Sequence, residues 1–337
     1  MIREAIEALV AGESLTTEHA TLAMNEIMSG EATPAQFGAL VTALRLKGET
    51  PDEIAGMAQA MREKSLHVHI DGPVVDTCGT GGDASGSFNI STTGAFVAAG
   101  AGATVAKHGN RAMSGACGSA DVLEALGAKI DLGPEGVKRC LEQVGFGFMF
   151  AQRYHPAMRF AAGPRREIGI RTVFNILGPL TNPANASRQV IGVADTGTGE
   201  RMAQVLVMLG SERALVVHGN DGMDEITVTG ASSIWDVEGG TVTTYEVMPE
   251  YVALSRGPAD ALRASSKEHS AETVRAVLAG RPGPARDIVL MNAAAALVAA
   301  GNAASLEAGV RMAAESIDSG AAARKLDDLL ALSQQLE

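Results

Sequence analysis

Aromatic side chains are few in this chain: eight Phe, three Tyr and one Trp make up 4% of its 337 residues. Small residues supply the bulk instead, among them 39 glycines, a composition suited to close helix packing and tight turns. Cysteine is limited to Cys78, Cys117 and Cys140, with no CxxC spacing. That excludes a disulfide framework and a zinc site of paired cysteines. Positive charge is short as well, 27 basic against 39 acidic residues for a net charge of −12. A chain this acidic is expected neither to bind nucleic acid nor to dock on an anionic membrane, so any cationic spot is placed deliberately. No apolar run approaches the roughly 18–20 residues of a membrane span. The first residues, Met1 to Glu7, read as an amphipathic helix and not as an export signal. The expectation is a soluble cytoplasmic protein. No GxxxxGKS/T, GxGxxG or HExxH pattern occurs, which removes the Walker, dinucleotide and zinc-protease readings. No Ser-His-Asp or Cys-His nucleophile arrangement is readable.

What is present divides into two parts near Asp71-Gly72-Pro73. Residues 1–70 read as helical. Thr33-Pro34-Ala35-Gln36 and Thr50-Pro51-Asp52-Glu53 are capping boxes with Pro at the first helical position. Phe37, Leu40, Val41 and Leu44 recur at i, i+3, i+4 and i+7, and Gly48 ends that helix. From residue 71 to 337, short apolar runs alternate with helices. Strands are expected at 74–76, 103–106, 146–150, 189–194 and 214–218, and helices at 119–126, 135–144 and 199–209. This alternation implies βαβ crossovers and a mostly parallel central sheet flanked by helices. A more β-rich patch follows at 226–229 and 241–247, then a helical tail that includes the Ala-rich 288–300. The fold class is α/β, with a small N-terminal helical domain and a larger α/β domain.

The chain is organised around one stretch. Asp76-Thr77-Cys78-Gly79-Thr80-Gly81-Gly82-Asp83 follows an apolar run, and Ser91-Thr92-Thr93 then opens a small apolar helix. Clustered glycines let a ligand approach the backbone, and a helix start presents free N–H groups and a favourable dipole to an anion. The next apolar run delivers Lys107, His108, Asn110 and Arg111 at the sheet edge where ligands of open α/β folds sit. Lys suits a phosphate as a point charge and Arg as a fork. Ser114, Gly118 and Ser119 open a second helix start. Asp224-Glu225, in a Gly-rich loop after a strand, could hold Mg²⁺ or act as general bases; spacing does not separate the two. Arg166 and Arg171 read as a surface ion-pair cluster.

Six motifs resemble the anthranilate phosphoribosyltransferase family: DTCGTGGD at 76–83, FNIST at 88–92, KHGNR at 107–111, GSADVLEALG at 118–127, GIRTVFNILGPLTNP at 169–183 and HGNDGMDEIT at 218–227. They run in order over nearly the whole chain. The resemblance implies a nucleoside phosphorylase-type fold, usually homodimeric, and a Mg²⁺-assisted step of tryptophan biosynthesis. In that step the amine of anthranilate displaces pyrophosphate from 5-phosphoribosyl-1-pyrophosphate. It further implies that Gly79, Gly82, Asp83, Ser87, Asn89, Ile90, Ser91, Thr92, Lys107, His108, Gly109, Asn110, Arg111, Ala112, Met113, Ser114, Gly115 and Ser119 hold the phosphoribosyl substrate. Ser91, Asp224 and Glu225 would contact the metal, and Gly79, Asn110 and Arg165 would meet anthranilate. No single catalytic residue is implied. The chain departs from the family pattern after KHGNR, where Ala112-Met113-Ser114-Gly115-Ala116 replaces Ser-Val-Ser-Ser-Lys and so removes two hydroxyls and one cation. A pyrimidine nucleoside phosphorylase and a nucleic-acid-binding relative of the same fold are the competing readings. Arg165 and Asp224-Glu225 speak against the first, and the net charge of −12 against the second.

Overall fold

The computed structural model describes residues 1–112 and 117–336. Four helices come first: α1 (Ile2–Val10), α2 (Thr17–Ser29), α3 (Pro34–Lys47) and α4 (Pro51–Glu63). Both capping boxes form. Gln36 N–H donates to Thr33 Oγ1 at 3.2 Å while Gln36 Oε1 accepts from Thr33 N–H at 2.9 Å. Thr50 and Glu53 repeat the exchange at 3.3 and 2.8 Å. Such caps are worth about 1 kcal/mol each.

Seven described strands make one sheet: β1 (Val75–Gly79), β2 (Val105–Gly109), β3 (Phe146–Phe150), β4 (Arg188–Gly192), β5 (Arg213–Gly219), β6 (Ser232–Glu238) and β7 (Thr241–Val247), in the order β3-β2-β1-β4-β5-β6-β7. The first five are mutually parallel, and β6 and β7 add antiparallel. The chain therefore winds outward from β1 to β3, returns to β4 beside β1 and winds the other way. Such a reversal opens a crevice at the carboxyl ends of the two strands where it occurs. The crossover helices include α5 (Ile90–Gly100), α6 (Ser119–Leu126) and α7 (Pro134–Val144) after β1 and β2, then α8 (Ala151–Tyr154), α9 (Arg159–Ile168) and α10 (Phe174–Leu177) between β3 and β4. Helix α11 (Thr196–Met208) joins β4 to β5. The tail is α12 (Lys267–Leu278), α13 (Pro284–Ala300), α14 (Leu306–Asp318) and α15 (Ala321–Ser333). No described helix is long and apolar enough to cross a membrane.

Side chains alternate across the strands and split the core in two. Leu215 and Val217 of β5 join the cluster under α5 and α13, where Phe96 stacks on Phe146 at 4.2 Å. Ala214 and Val216 face the cluster that contains α1 to α4 and α11. The helical domain thus shares its apolar core with one face of the sheet.

Two expectations change. Residues 226–229 form no strand. Asn292 of α13 takes both backbone groups of Ile226, accepting from its N–H and donating to its carbonyl, each at 2.9 Å, so no ladder is left to build. The antiparallel partner is β6, whose adjacent Ile234 and Trp235 break the alternation that marks a strand in sequence. Strand β2 also runs further than expected, so Lys107 and His108 lie inside it, paired in register with Phe148 and Met149 of β3.

Candidate active site

The winding reversal brings Gly79 and Gly192 into register at the ends of β1 and β4. Asp224 sits over both. A Cβ on Gly79 would collide with Asp224 Oδ2, and one on Gly192 would collide with the Asp224 carbonyl oxygen. No other residue type fits beneath this loop. Asp224 Oδ2 also accepts from Gly81 N–H at 2.8 Å, which ties the glycine loop to the carboxylate. Burial, and then the Asp83 carboxylate, push Asp224 up to about 7. Glu225 is held well above the usual carboxylate range by burial and then by Asp224. Asp83 Oδ1 accepts from Ser85 N–H at 3.2 Å, while its Oδ2 is buried with no partner among the described residues.

Helix α5 begins beside this acidic group. Ser91 N–H donates to Glu225 Oε1 at 3.1 Å. Asn89 stands before the helix without capping it. Its carboxamide bonds instead to Ser270 and to the Cys117 carbonyl, at 2.7 and 3.3 Å. Ile90 is buried, and Thr92 Oγ1 is buried with no partner among the described residues. Ser87 lies in a single antiparallel bridge to Arg263. Ile90 N–H donates to the Phe88 carbonyl and Thr93 N–H to the Asn89 carbonyl, so at this helix start Thr92 alone keeps both its N–H and its hydroxyl without a described partner.

Lys107 reaches the same place from β2, 1% exposed. Its ammonium donates to the Thr77 carbonyl and lies 3.4 Å from both Thr77 Oγ1 and Ser91 Oγ. Burial lowers its pKa, and Asp76 beside it opposes that shift. Asp76 is fully buried and is raised by that burial. It accepts from Asn182 Nδ2 at 2.8 Å and from His108 N–H at 3.1 Å, and so pins β2 to β1. Burial, and then His155, whose ring centroid is 5.0 Å away, lower His108 to about 3. His108 is neutral at physiological pH and contributes no cation.

The loop after Gly109 is arranged otherwise. Arg111 pairs with Asp121 at 3.1 Å and with both carboxylate oxygens of Glu124. Asp121 Oδ2 accepts from Ala112 N–H and Gly118 N–H, each at 2.9 Å. Ser119 Oγ donates to the Asn110 carbonyl at 3.3 Å. The protein's own carboxylate thus ties the N-cap of this second helix to the loop before it. Met113, Ser114 and Gly115, also expected to hold substrate, lie outside the described residues, as does Ala116 of the departure from the family pattern.

Arg165 projects from α9, which packs on the helical domain through Phe160 beside Gly30 and Ile168 near Gly38. Its guanidinium lies 5.3 Å from the Phe174 ring centroid, and burial lowers its pKa. Arg171, expected in a surface ion-pair cluster, makes no ion pair among the described residues. It lies against the glycine loop, where a Cβ on Gly82 would collide with Arg171 Nη1. Asn182 and Asn292 were equally unexpected at the site. A buried Asn reads in sequence like any turn or helix residue, and its role appears only through its partners.

The donor set fits Mg²⁺. Two carboxylates that repel each other, a buried carboxylate oxygen without a described partner and a nearby Ser hydroxyl are hard oxygen ligands. Among the described residues no three His, Cys, Asp or Glu side chains close on one point. That also suits Mg²⁺, which keeps waters and takes substrate phosphate oxygens in place of a full protein cage.

Residues 71–323 match the family model for the a/b domain of the glycosyl transferase family, and residues 3–65 match its helical bundle domain. The chain is 60% identical over 335 residues to the anthranilate phosphoribosyltransferase of Chloroflexus aurantiacus, covering 99% of each. It is 57% identical to that of Roseiflexus castenholzii, covering 98% of each. The crystal structure of anthranilate phosphoribosyltransferase from Thermus thermophilus superposes with a TM-score of 0.93 at 44% identity, over 98% of this chain and 99% of that one. The Saccharomyces cerevisiae enzyme in complex with PRPP and Mg superposes with a TM-score of 0.91 at 25% identity, over 99% and 98%.

Proposed function

The chain belongs to the anthranilate phosphoribosyltransferase family of glycosyl transferases, and on that premise we propose how its own residues carry out the transfer. The substrates are 5-phosphoribosyl-1-pyrophosphate and anthranilate. The anthranilate nitrogen forms a bond to C1 of the ribose while the C1–O bond to diphosphate breaks. The products are N-(5-phosphoribosyl)anthranilate and pyrophosphate. One observation carries the reading: of an adjacent carboxylate pair, Asp224 stands over two glycine strand ends and Glu225 at the start of α5, where a buried ammonium also reaches Ser91.

Charge distribution assigns the roles. The glycine loop from Gly79 to Asp83, through the N–H groups of Gly82 and Asp83, and the start of α5 from Asn89 to Thr92, through Thr92 and the Ser91 hydroxyl, face the phosphate oxygens. Lys107 supplies a desolvated positive charge, worth more there than in water. Asp224, Glu225 and the Ser91 hydroxyl would hold Mg²⁺, with Asp83 completing the acidic wall. When bound, the ion neutralises the leaving diphosphate. C1 gains positive character as the bond breaks, so the protein's work is positioning and charge balance. The aromatic amine is already neutral near pH 7, and the arylammonium formed by attack is acidic enough to need no dedicated base. Arg165, held against Phe174, would take the anthranilate carboxylate as a fork, with Gly79 and Asn110 alongside. Ser87, Ile90, His108, Gly109 and Ala112 shape the pocket. Arg111 and Ser119 would join it only by leaving their present partners.

The test is the loss of anthranilate fluorescence on addition of 5-phosphoribosyl-1-pyrophosphate with Mg²⁺. Turnover that requires all three is the expected result; no turnover at any substrate level would remove the assignment.

A further inference from the structure

We propose that Arg171 is a substrate-binding residue, a guanidinium that grips the anionic oxygens of the sugar diphosphate above the glycine loop. The proposal rests on the functional reading above and adds to it a cation that the sequence analysis placed in a surface ion-pair cluster.

Backbone geometry fixes where this side chain starts. Helix α9 ends at Gly169, with φ of +67°. Directly after Arg171 the chain is locked again: Asn175 Oδ1 accepts from Thr172 N–H and Asn175 N–H donates to the Thr172 carbonyl, both at 2.9 Å. Between these two fixed points Arg171 extends to the glycine loop. A Cβ on Gly82 would collide with its Nη1 and crowd its Cζ, so the guanidinium occupies the space that only a glycine leaves free.

The surroundings explain what it is for. In a chain with 39 acidic residues, a solvent-facing Arg commonly finds a carboxylate. Arg171 makes no ion pair or hydrogen bond among the described residues. Arg111, by contrast, is spent on Asp121 and Glu124. The loop under Arg171 has donors to spare as well. Gly81 N–H is used by Asp224, but no described acceptor takes the N–H of Gly82 or Asp83. An unpaired guanidinium beside two unspent backbone N–H groups is complementary to a phosphate oxyanion.

The test compares wild type with Arg171→Gln and Arg171→Lys. The measurements are the KM of each substrate, titration calorimetry of 5-phosphoribosyl-1-pyrophosphate with Mg²⁺, and the melting temperature. Arg171→Gln is expected to weaken the sugar diphosphate by about tenfold to a hundredfold, the size of a lost charged hydrogen bond. The KM of anthranilate should stay within about threefold, Arg171→Lys should recover part of the loss, and the melting temperature should not move. Unchanged sugar-diphosphate affinity in an otherwise active Arg171→Gln variant would overturn the proposal alone. A loss confined to anthranilate would overturn it too, by assigning the fork to the other substrate's carboxylate. A wild-type protein that ignores the sugar diphosphate would instead bring down the functional reading on which the proposal stands.

Discussion

Helices α5 and α6 both begin at the carboxyl edge of the sheet, one after β1 and one after β2, and both are preceded by small polar residues. At α6 the carboxylate of Asp121 turns back to the N-cap N–H of Gly118 and the loop N–H of Ala112, and Arg111 closes over it. At α5 no residue of the helix itself does this. Asn89 turns aside to Ser270, Thr92 Oγ1 is left without a described partner, and a carboxylate from a distant loop, Glu225, takes Ser91 N–H. A helix start is an anion site only while its donors are unspent. At α6 one acidic residue in the first turn, with Arg111, ties the helix start to the loop before it, whereas at α5 the start is met by a carboxylate from a distant loop.

This contrast can be broken at four points. The largest effect is expected at the start of α5. Glu225→Gln should lower turnover by about a hundredfold or more, in the range seen when a charge-stabilising group is removed. Initial rates across a Mg²⁺ series check this, and rates within a few-fold of wild type would show that the start of α5 is not the anchor. Thr92→Val removes the unspent hydroxyl while keeping the shape. It should raise the KM of the sugar diphosphate about tenfold, with a smaller change for anthranilate. At the start of α6, Asp121→Ala should act on stability, by about 0.5–2 kcal/mol as for a lost cap, read by urea unfolding. Burial would raise the Asp121 carboxyl, but the N–H groups of Ala112 and Gly118, with Arg111, hold it below its usual value. A depressed carboxyl contributes stability above its unfolded pKa and loses it as pH falls through the folded one. The stability profile below about pH 4 should therefore be flatter in Asp121→Ala than in wild type. Ser119→Ala should be mildest, within about threefold in either KM, since its hydroxyl is occupied by the Asn110 carbonyl.

The sequence made much of this legible. Capping boxes, glycine stops and alternating runs placed the first four helices and the parallel strands, because those signals are local. The glycine loop, Lys107 and Asp224-Glu225 were legible through motif spacing. Partnership was not. Arg111 and Arg171 look alike in sequence, yet one is paired with two acids and the other with none among the described residues. Asn292 lies in an apolar helix that reads as core, and its hold on Ile226 also hid the absence of a strand at 226–229. Strand β6 was missed because adjacent apolar residues, Ile234 and Trp235, obscure the period of two.

The bond between Asn292 and Ile226 sets an order on assembly. The backbone directly after Asp224 and Glu225 is held in place by a side chain that is made only 66 residues after Ile226 itself. Strands β1 to β5 and the glycine loop are by then long since synthesised. A chain stopped short of α13 would carry every phosphate-facing motif and still lack the two bonds that fix the backbone at Ile226, directly after its two carboxylates. In this enzyme a helix remote in sequence from the phosphate-facing motifs thus supplies part of the footing of the carboxylate loop.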